Sequence, residues 1–145
     1  MTTTVERAGR KRTRTRAWQE RALLGVLLLV GANAVYGGVG LVVDGMGMPD
    51  EWLDRLPVDG WTWPGVALLV TVALPQLGAA WLVWRHHPLA AVAGMVVGAG
   101  LVLWIGVQLA LLQRFFVLQP VIAVLGLAEV ALALAWLHAG RTGTT

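Results

Sequence analysis

One carboxylate stands in the middle of an otherwise apolar run. Residues 118–137 read LQPVIAVLGLAEVALALAWL, with Glu129 near the centre. A charge at the middle of a bilayer costs about 2.5–3.5 kcal/mol or more, so such a side chain turns into a helix bundle and seeks a partner. When each apolar run is centred on a membrane, Asn33 and Gln76 fall within a turn of Glu129 in depth, and Gln108 lies about two turns away. Helical spacing gives each polar residue small neighbours on its own side. Glu129 shares its side with Gly126 and Ala133, and Gln76 with Ala73 and Ala80. Asn33 shares its side with Tyr36, Gly37 and Gly40, and Gln108 lies on the stripe of Gly94, Gly98 and Ile105. Trp104 lies within its run, away from the ends where tryptophan anchors at head groups.

Three chemistries fit this set. A neutral carboxyl both donates to and accepts from an amide, so Glu129, Asn33 and Gln76 can close into a layer that fixes helix register. The same residues, with Gln108, Trp104 and Tyr36, can line a cavity for a proton, an ion or a small polar headgroup. Glu129 can also pair with a second subunit. Other chemistries find no support. The chain has no cysteine, which excludes disulfides, thiolate metal sites and thiol redox chemistry. His86 and His87 are adjacent and point apart, His138 is distant, and no metal-ligand spacing occurs within a run. No metal and no cofactor is expected, and neither a hydrolase triad nor a phosphate loop is present.

The elements that position these residues follow from composition. Of 145 residues, 57% are hydrophobic and 13% charged, too few polar groups to clothe a soluble domain. Four apolar runs are long enough to cross a membrane: about 22–43, 64–84, 88–112 and 117–138. The expected fold is all-α, an integral membrane four-helix bundle over 22–139, between a basic tail at 1–21 and a short tail at 140–145. The basic tail sums to +5, from seven Lys and Arg less Glu6 and Glu20. The connection 44–63 sums to −4, from five acids less Arg55. The positive-inside rule then predicts a multi-pass plasma membrane protein with both termini cytoplasmic, Arg114 in an outer turn being a mild exception. The segment RKRTRTR faces anionic lipid, at roughly 1 kcal/mol per charge. No aromatic interleaving accompanies it, so nucleic acid is not an expected partner.

Finer features add detail. Trp18, Trp81, Trp84 and Trp136 are expected in an inner belt, and Trp52, Trp61, Trp63, Phe115 and Phe116 in an outer one. Pro64, Pro88 and Pro120 suit first helical turns. Pro75 lies inside the second run, removes the donor to the carbonyl of Thr71, and predicts a bend. PDEWLDRL, residues 49–56, reads as a short interfacial helix in the first outer loop. Gly94 and Gly98 form a ridge for helix packing. GVGLVV at 38–43 echoes GAGLVL at 98–103, an echo that chance can supply in so restricted an alphabet.

The strings GGVGLVVDGMGMPDEWL, PGVALLV, WIGVQ and LQP together resemble small four-span membrane proteins of high-GC Gram-positive bacteria, loosely DoxX-like in size and topology. That resemblance covers 22–139 and implies the topology and a plasma membrane location, with no catalytic residue to carry over. The leading expectation is a non-enzymatic accessory or structural subunit, as a homo-oligomer through the glycine ridge or in a larger membrane complex. The alternative is a carrier or binding protein for a small or lipid-like ligand around Glu129. The third is a lipid-modifying enzyme using Glu129 or Asp44, Asp50 and Asp54. RALLGVLLLVGANA also has the form of a signal peptide ending at Ala34, but its apolar run continues to Val43, longer than such a peptide needs. The first span is therefore expected to be retained, and intact-mass measurement of the purified protein should find Met1–Thr145 without loss at Ala34.

Overall fold

The computed structural model describes the backbone of residues 2–53, 58–112 and 117–141, and the side chains of 17–53, 58–111 and 117–139. Four long helices make up most of it: α1 (Thr2–Asp44), α2 (Thr62–Trp84), α3 (Ala90–Leu112) and α4 (Leu118–Arg141). Each contains a segment long and apolar enough to cross a membrane: Ala17–Gly47, Thr62–Trp84, Ala90–Leu111 and Leu118–Ala139. No strand occurs among the described residues. The outward faces are as greasy as the core, with Leu29, Val70, Leu74, Leu103 and Val124 all exposed. Water would penalise that surface; acyl chains do not. The end of the bundle carrying the α1–α2 connection is called the loop end below, and the opposite end the terminal end.

α1 is continuous from the basic segment into the first apolar run. α3 begins at Ala90, two residues after Pro88. The α2–α3 turn explains the delay. His86 adopts a left-handed conformation at φ 52°, and the turn closes through His87 N–H to the Leu82 carbonyl and Ala90 N–H to the His87 carbonyl, each 2.9 Å. In the α1–α2 connection, Asp44 caps the Met46 amide at 2.9 Å and Asp50–Leu53 forms one 3-10 turn. The remainder of the expected short helix (Asp54, Arg55, Leu56), the turn with Arg114, Phe115 and Phe116, and the basic side chains before Ala17 lie outside the described residues.

Helix α2 adjusts its turns ahead of Pro75. The turn before it, Leu69–Ala73, is widened into a π-helix, and the Leu74 amide reaches back to the Leu69 carbonyl. A proline has no N–H to continue an α-ladder, and a wide turn absorbs the misfit. The Thr71 hydroxyl donates to the Ala67 carbonyl at 2.6 Å, satisfying one acceptor in this stretch.

Helices α1 and α2 form one hairpin and α3 and α4 the other; α1 also packs on α4, and α2 on α3. Each hairpin closes on a pair of glycines. A Cβ built on Gly65 would meet the Gly38 carbonyl at 2.7 Å, beside Leu41 and Val42. A Cβ built on Gly126 would meet the Gly98 carbonyl at 2.9 Å, beside Leu101 and Val102. The two crossings use the same set: a glycine with Leu three residues on and Val four residues on. The echo between 38–43 and 98–103 thus has a shared packing role. Small residues let backbones meet where no solvent drives helices together. Gly94 meets Leu23 of α1, so the ridge of Gly94 and Gly98 is covered from within the chain.

The core divides into two apolar clusters. One lies toward the terminal end, with Leu23, Leu27, Ala79, Ala80, Val83, Ala90, Ala133 and Trp136. The other lies toward the loop end, with Val30, Ala34, Val72, Ala73 and Leu101. Trp136 belongs to the first cluster at 7% exposure instead of an interfacial belt, because it continues the buried face of Glu129 and Ala133. Trp81 and Trp84 are exposed and stack edge-to-face at 5.2 Å, with the Arg85 guanidinium 4.6 Å from the Trp81 ring centre.

Gly98→Leu or Gly126→Leu should part α3 from α4 and destabilise the bundle by about 1–3 kcal/mol, the usual cost of overpacking. Gly106, with open space around its Cβ position, should accept alanine without loss. Thermal unfolding in mild detergent compares the three.

Candidate functional site

Gln76 and Glu129 meet at the level between the two apolar clusters. Both are buried, at 1% and 0% exposure, and Gln76 Nε2 donates to Glu129 Oε2 at 2.9 Å. The bond runs diagonally from α2 to α4. Local sequence places both partners. On α4 the buried residues Gln119, Gly126, Glu129, Ala133 and Trp136 recur at helical spacing, so Glu129 must face inward with the rest. A Cβ on Gly98 would stand 2.8 Å from Glu129 Cβ, so only glycine on α3 leaves room for the acid. On α2, Gln76 follows Pro75 and the widened turn, and faces inward with Ala73, Ala79 and Ala80.

The pair has more capacity than this one bond uses. Glu129 Oε1 and Gln76 Oε1 are both buried and both without a hydrogen-bond partner. Each is an acceptor. Between Ala22 and Val43, Thr62 and Trp84, Ala90 and Leu111, and Leu118 and Leu137, Glu129 is the one carboxylate, and no Lys, Arg or His occurs. No fixed positive charge therefore stands against it.

A second feature lies toward the loop end. A cavity of about 1250 Å³ opens among all four helices. Its wall is apolar at depth, with Val30, Ala34, Val72, Leu101, Ile122 and Leu125. Its polar and aromatic groups include Asn33, Tyr36, Asp59, Trp61, Trp104 and Gln108. It exists because the hairpins are tied differently. The Gly38–Gly65 crossing holds Thr62–Leu68 against α1, while Gly98–Gly126 holds α3 against α4. The hairpins pack together toward the terminal end and part toward the loop end. A smaller cavity of about 210 Å³ lies between α2 and α3, lined by Thr71, Val72, Pro75, Gln76, Val97, Gly100 and Leu101 among others. Val72 and Leu101 border both cavities.

The residues singled out from sequence thus separate into two groups. Gln76 and Glu129 are bonded together. Asn33, Tyr36, Trp104 and Gln108 line the large cleft, and Asn33 and Tyr36 are exposed there, so Asn33 does not complete a closed layer. Gly94 and Gly98 serve packing inside the chain. Sequence reasoning missed Gln119, which is 5% exposed and borders the cleft. Its signal was present: it lies on the same helical stripe as Gly126 and Glu129. It also missed the side-chain contact between Glu20 and His86 Nδ1, which ties α1 to the α2–α3 turn. Nothing in spacing could reveal that contact, since 66 residues separate the partners. Among the described residues no three His, Asp or Glu side chains gather as a metal site.

No family model, no curated protein and no solved structure matches this chain.

Gln76→Leu leaves a buried acid without its donor and should destabilise the protein by about 1–3 kcal/mol or more. The double variant Gln76→Leu/Glu129→Leu should recover part of that loss, and Glu129→Gln, which keeps an acceptor oxygen, should cost least. A double-mutant cycle on unfolding temperatures in detergent reads the coupling.

Proposed function

We propose that this chain is a multi-pass membrane protein that binds an amphiphilic, lipid-like molecule in the cleft at its loop end, without catalysing a reaction. The observation that carries this reading is the cleft itself: about 1250 Å³, apolar at depth, with polar and indole side chains on its wall. Ligand sites combine concavity, an apolar lining and a few placed polar groups. A chain or ring would lie against Val72, Leu101 and Leu125, and a polar head near Gln108, Asp59 and Trp61.

Topology gives the ligand a location. The +5 segment at 1–21 and the −4 connection at 44–63 support an orientation with both termini in the cytoplasm and the loop end outside. The basic segment faces anionic lipid, and the short turn at Asp50–Leu53, with Trp52, rests near the outer head groups. The resemblance of several strings to small membrane proteins of high-GC Gram-positive bacteria favours the plasma membrane. The cleft then opens toward the outer leaflet, where amphiphiles reside.

The other two readings have less behind them. An assembly role through the glycine ridge meets a ridge already covered by Leu23, Gly126 and Glu129. An enzyme using two acids needs them in one pocket, and Glu129 is the one acid in the spans.

Native mass spectrometry of protein purified in mild detergent should find a bound lipid-like molecule. Ala67→Trp, which fills the cleft wall beside α1, should remove most of it, about a tenfold loss of the bound fraction for each 1.4 kcal/mol of lost affinity. A protein that carries no such molecule, or carries it equally in Ala67→Trp, overturns the reading.

A further inference from the structure

We propose that Gln76 and Glu129 form a binding site for a small monovalent cation, a proton or an alkali ion, reached from the large cleft across a septum made by Val72 and Leu101.

Three observations meet here. The first is charge: Glu129 is 0% exposed, and no basic side chain occurs within 22–43, 62–84, 90–111 or 118–137. A carboxylate in that setting requires a positive species to neutralise it. The second is the kind of group left over. Gln76 Nε2 already serves Glu129 Oε2, and the two atoms without partners, Glu129 Oε1 and Gln76 Oε1, are both acceptors. Two unserved acceptors in one pair call for a donor or a hard cation, not for a further acceptor. The third is access. Gln76 borders the half-open space of about 210 Å³ between α2 and α3, whose rim includes the exposed Thr71, Val96 and Gly100. Thr71 and Pro75 border it too, and Pro75 has no N–H to serve the Thr71 carbonyl. Interrupted helices in membranes commonly lend such carbonyls to ions.

The route follows from shared walls. Val72, 5% exposed, and Leu101, 3% exposed, line the large cleft on one side and the small cavity on the other. A rotamer change at either joins the two spaces. The titratable surroundings are simple. Within 22–43 α1 offers only Tyr36, exposed in the cleft; α2 and α3 offer nothing within their spans; α4 offers nothing besides Glu129 before His138 at the terminal end; Asp59 of the connection lines the cleft farther out. A change of pH in this region therefore acts on Glu129 itself. The route depends on the cleft being open to its surroundings, as the ligand-binding reading holds, while the site does not.

The test is labelling of Glu129 by dicyclohexylcarbodiimide, an apolar reagent that adds to protonated carboxyls, followed by mass spectrometry on the detergent-solubilised full chain. If the cation is an alkali ion, sodium should slow labelling relative to choline at equal ionic strength, by about tenfold when present at about ten times its Kd. If it is a proton, labelling should fall as pH rises and ignore sodium. Leu101→Ala, with Val72→Ala as the milder variant, should speed labelling several-fold by opening the septum. Glu129→Gln should take no label at this position. Labelling of Glu129 that sodium does not slow and that follows the same pH course as labelling of Asp59 in the connection overturns the site, as does its absence in wild type and both septum variants. Labelling that responds but is no faster in either septum variant overturns the route. Lipid retention in native mass spectra is read separately, so failure of the cation site leaves the cleft reading standing, and the reverse.

Discussion

The hydrogen bond between Gln76 and Glu129 is the constraint around which the bundle is organised. An acid can enter an apolar bundle only when a polar partner enters with it, because the unpaired group is too costly to bury. Meeting that requirement fixes the rotation of α4, fixes the rotation of α2 after its proline, and requires a glycine at position 98 of α3. Three of the four helices are thus set in register at one level. The apolar clusters on either side then fill with Leu, Val and Ala, which carry little directional information of their own.

The glycine crossings act on a different problem. In lipid, apolar side chains gain little by leaving acyl tails for one another, so close backbone contact must do much of the joining. The chain solves this twice with the same local arrangement, Gly38 on Gly65 and Gly98 on Gly126. One crossing lies near the loop end of its hairpin and the other nearer the middle. That offset, with the widened turn before Pro75, lets the hairpins stay together at one end and part at the other. The cleft is a consequence of where the glycines fall.

The two proposed sites share a wall. The wide cleft offers shape and apolar area; the buried pair offers charge chemistry and almost no room. Val72 and Leu101 belong to both. An occupant of the cleft would press on the residues that seal the pair, which gives the two sites a physical means to sense each other.

The sequence by itself determined the class of structure. Four apolar runs of span length, an inward acid with small neighbours, and a proline that breaks one ladder were all legible, because each depends on the residues next to it along one helix. Helical spacing sufficed to turn Glu129 inward, and would have turned Gln119 inward as well. Tertiary structure decided what touched what. It paired Glu129 with Gln76 and sent Asn33 to the cleft, it spent Gly94 and Gly98 inside the chain, and it joined Glu20 to His86. Periodicity ranks the faces of one helix; it says nothing about how far that helix is rotated or slid against another. Those two degrees of freedom are set by a few close contacts between distant residues, and the cleft exists only once they are fixed.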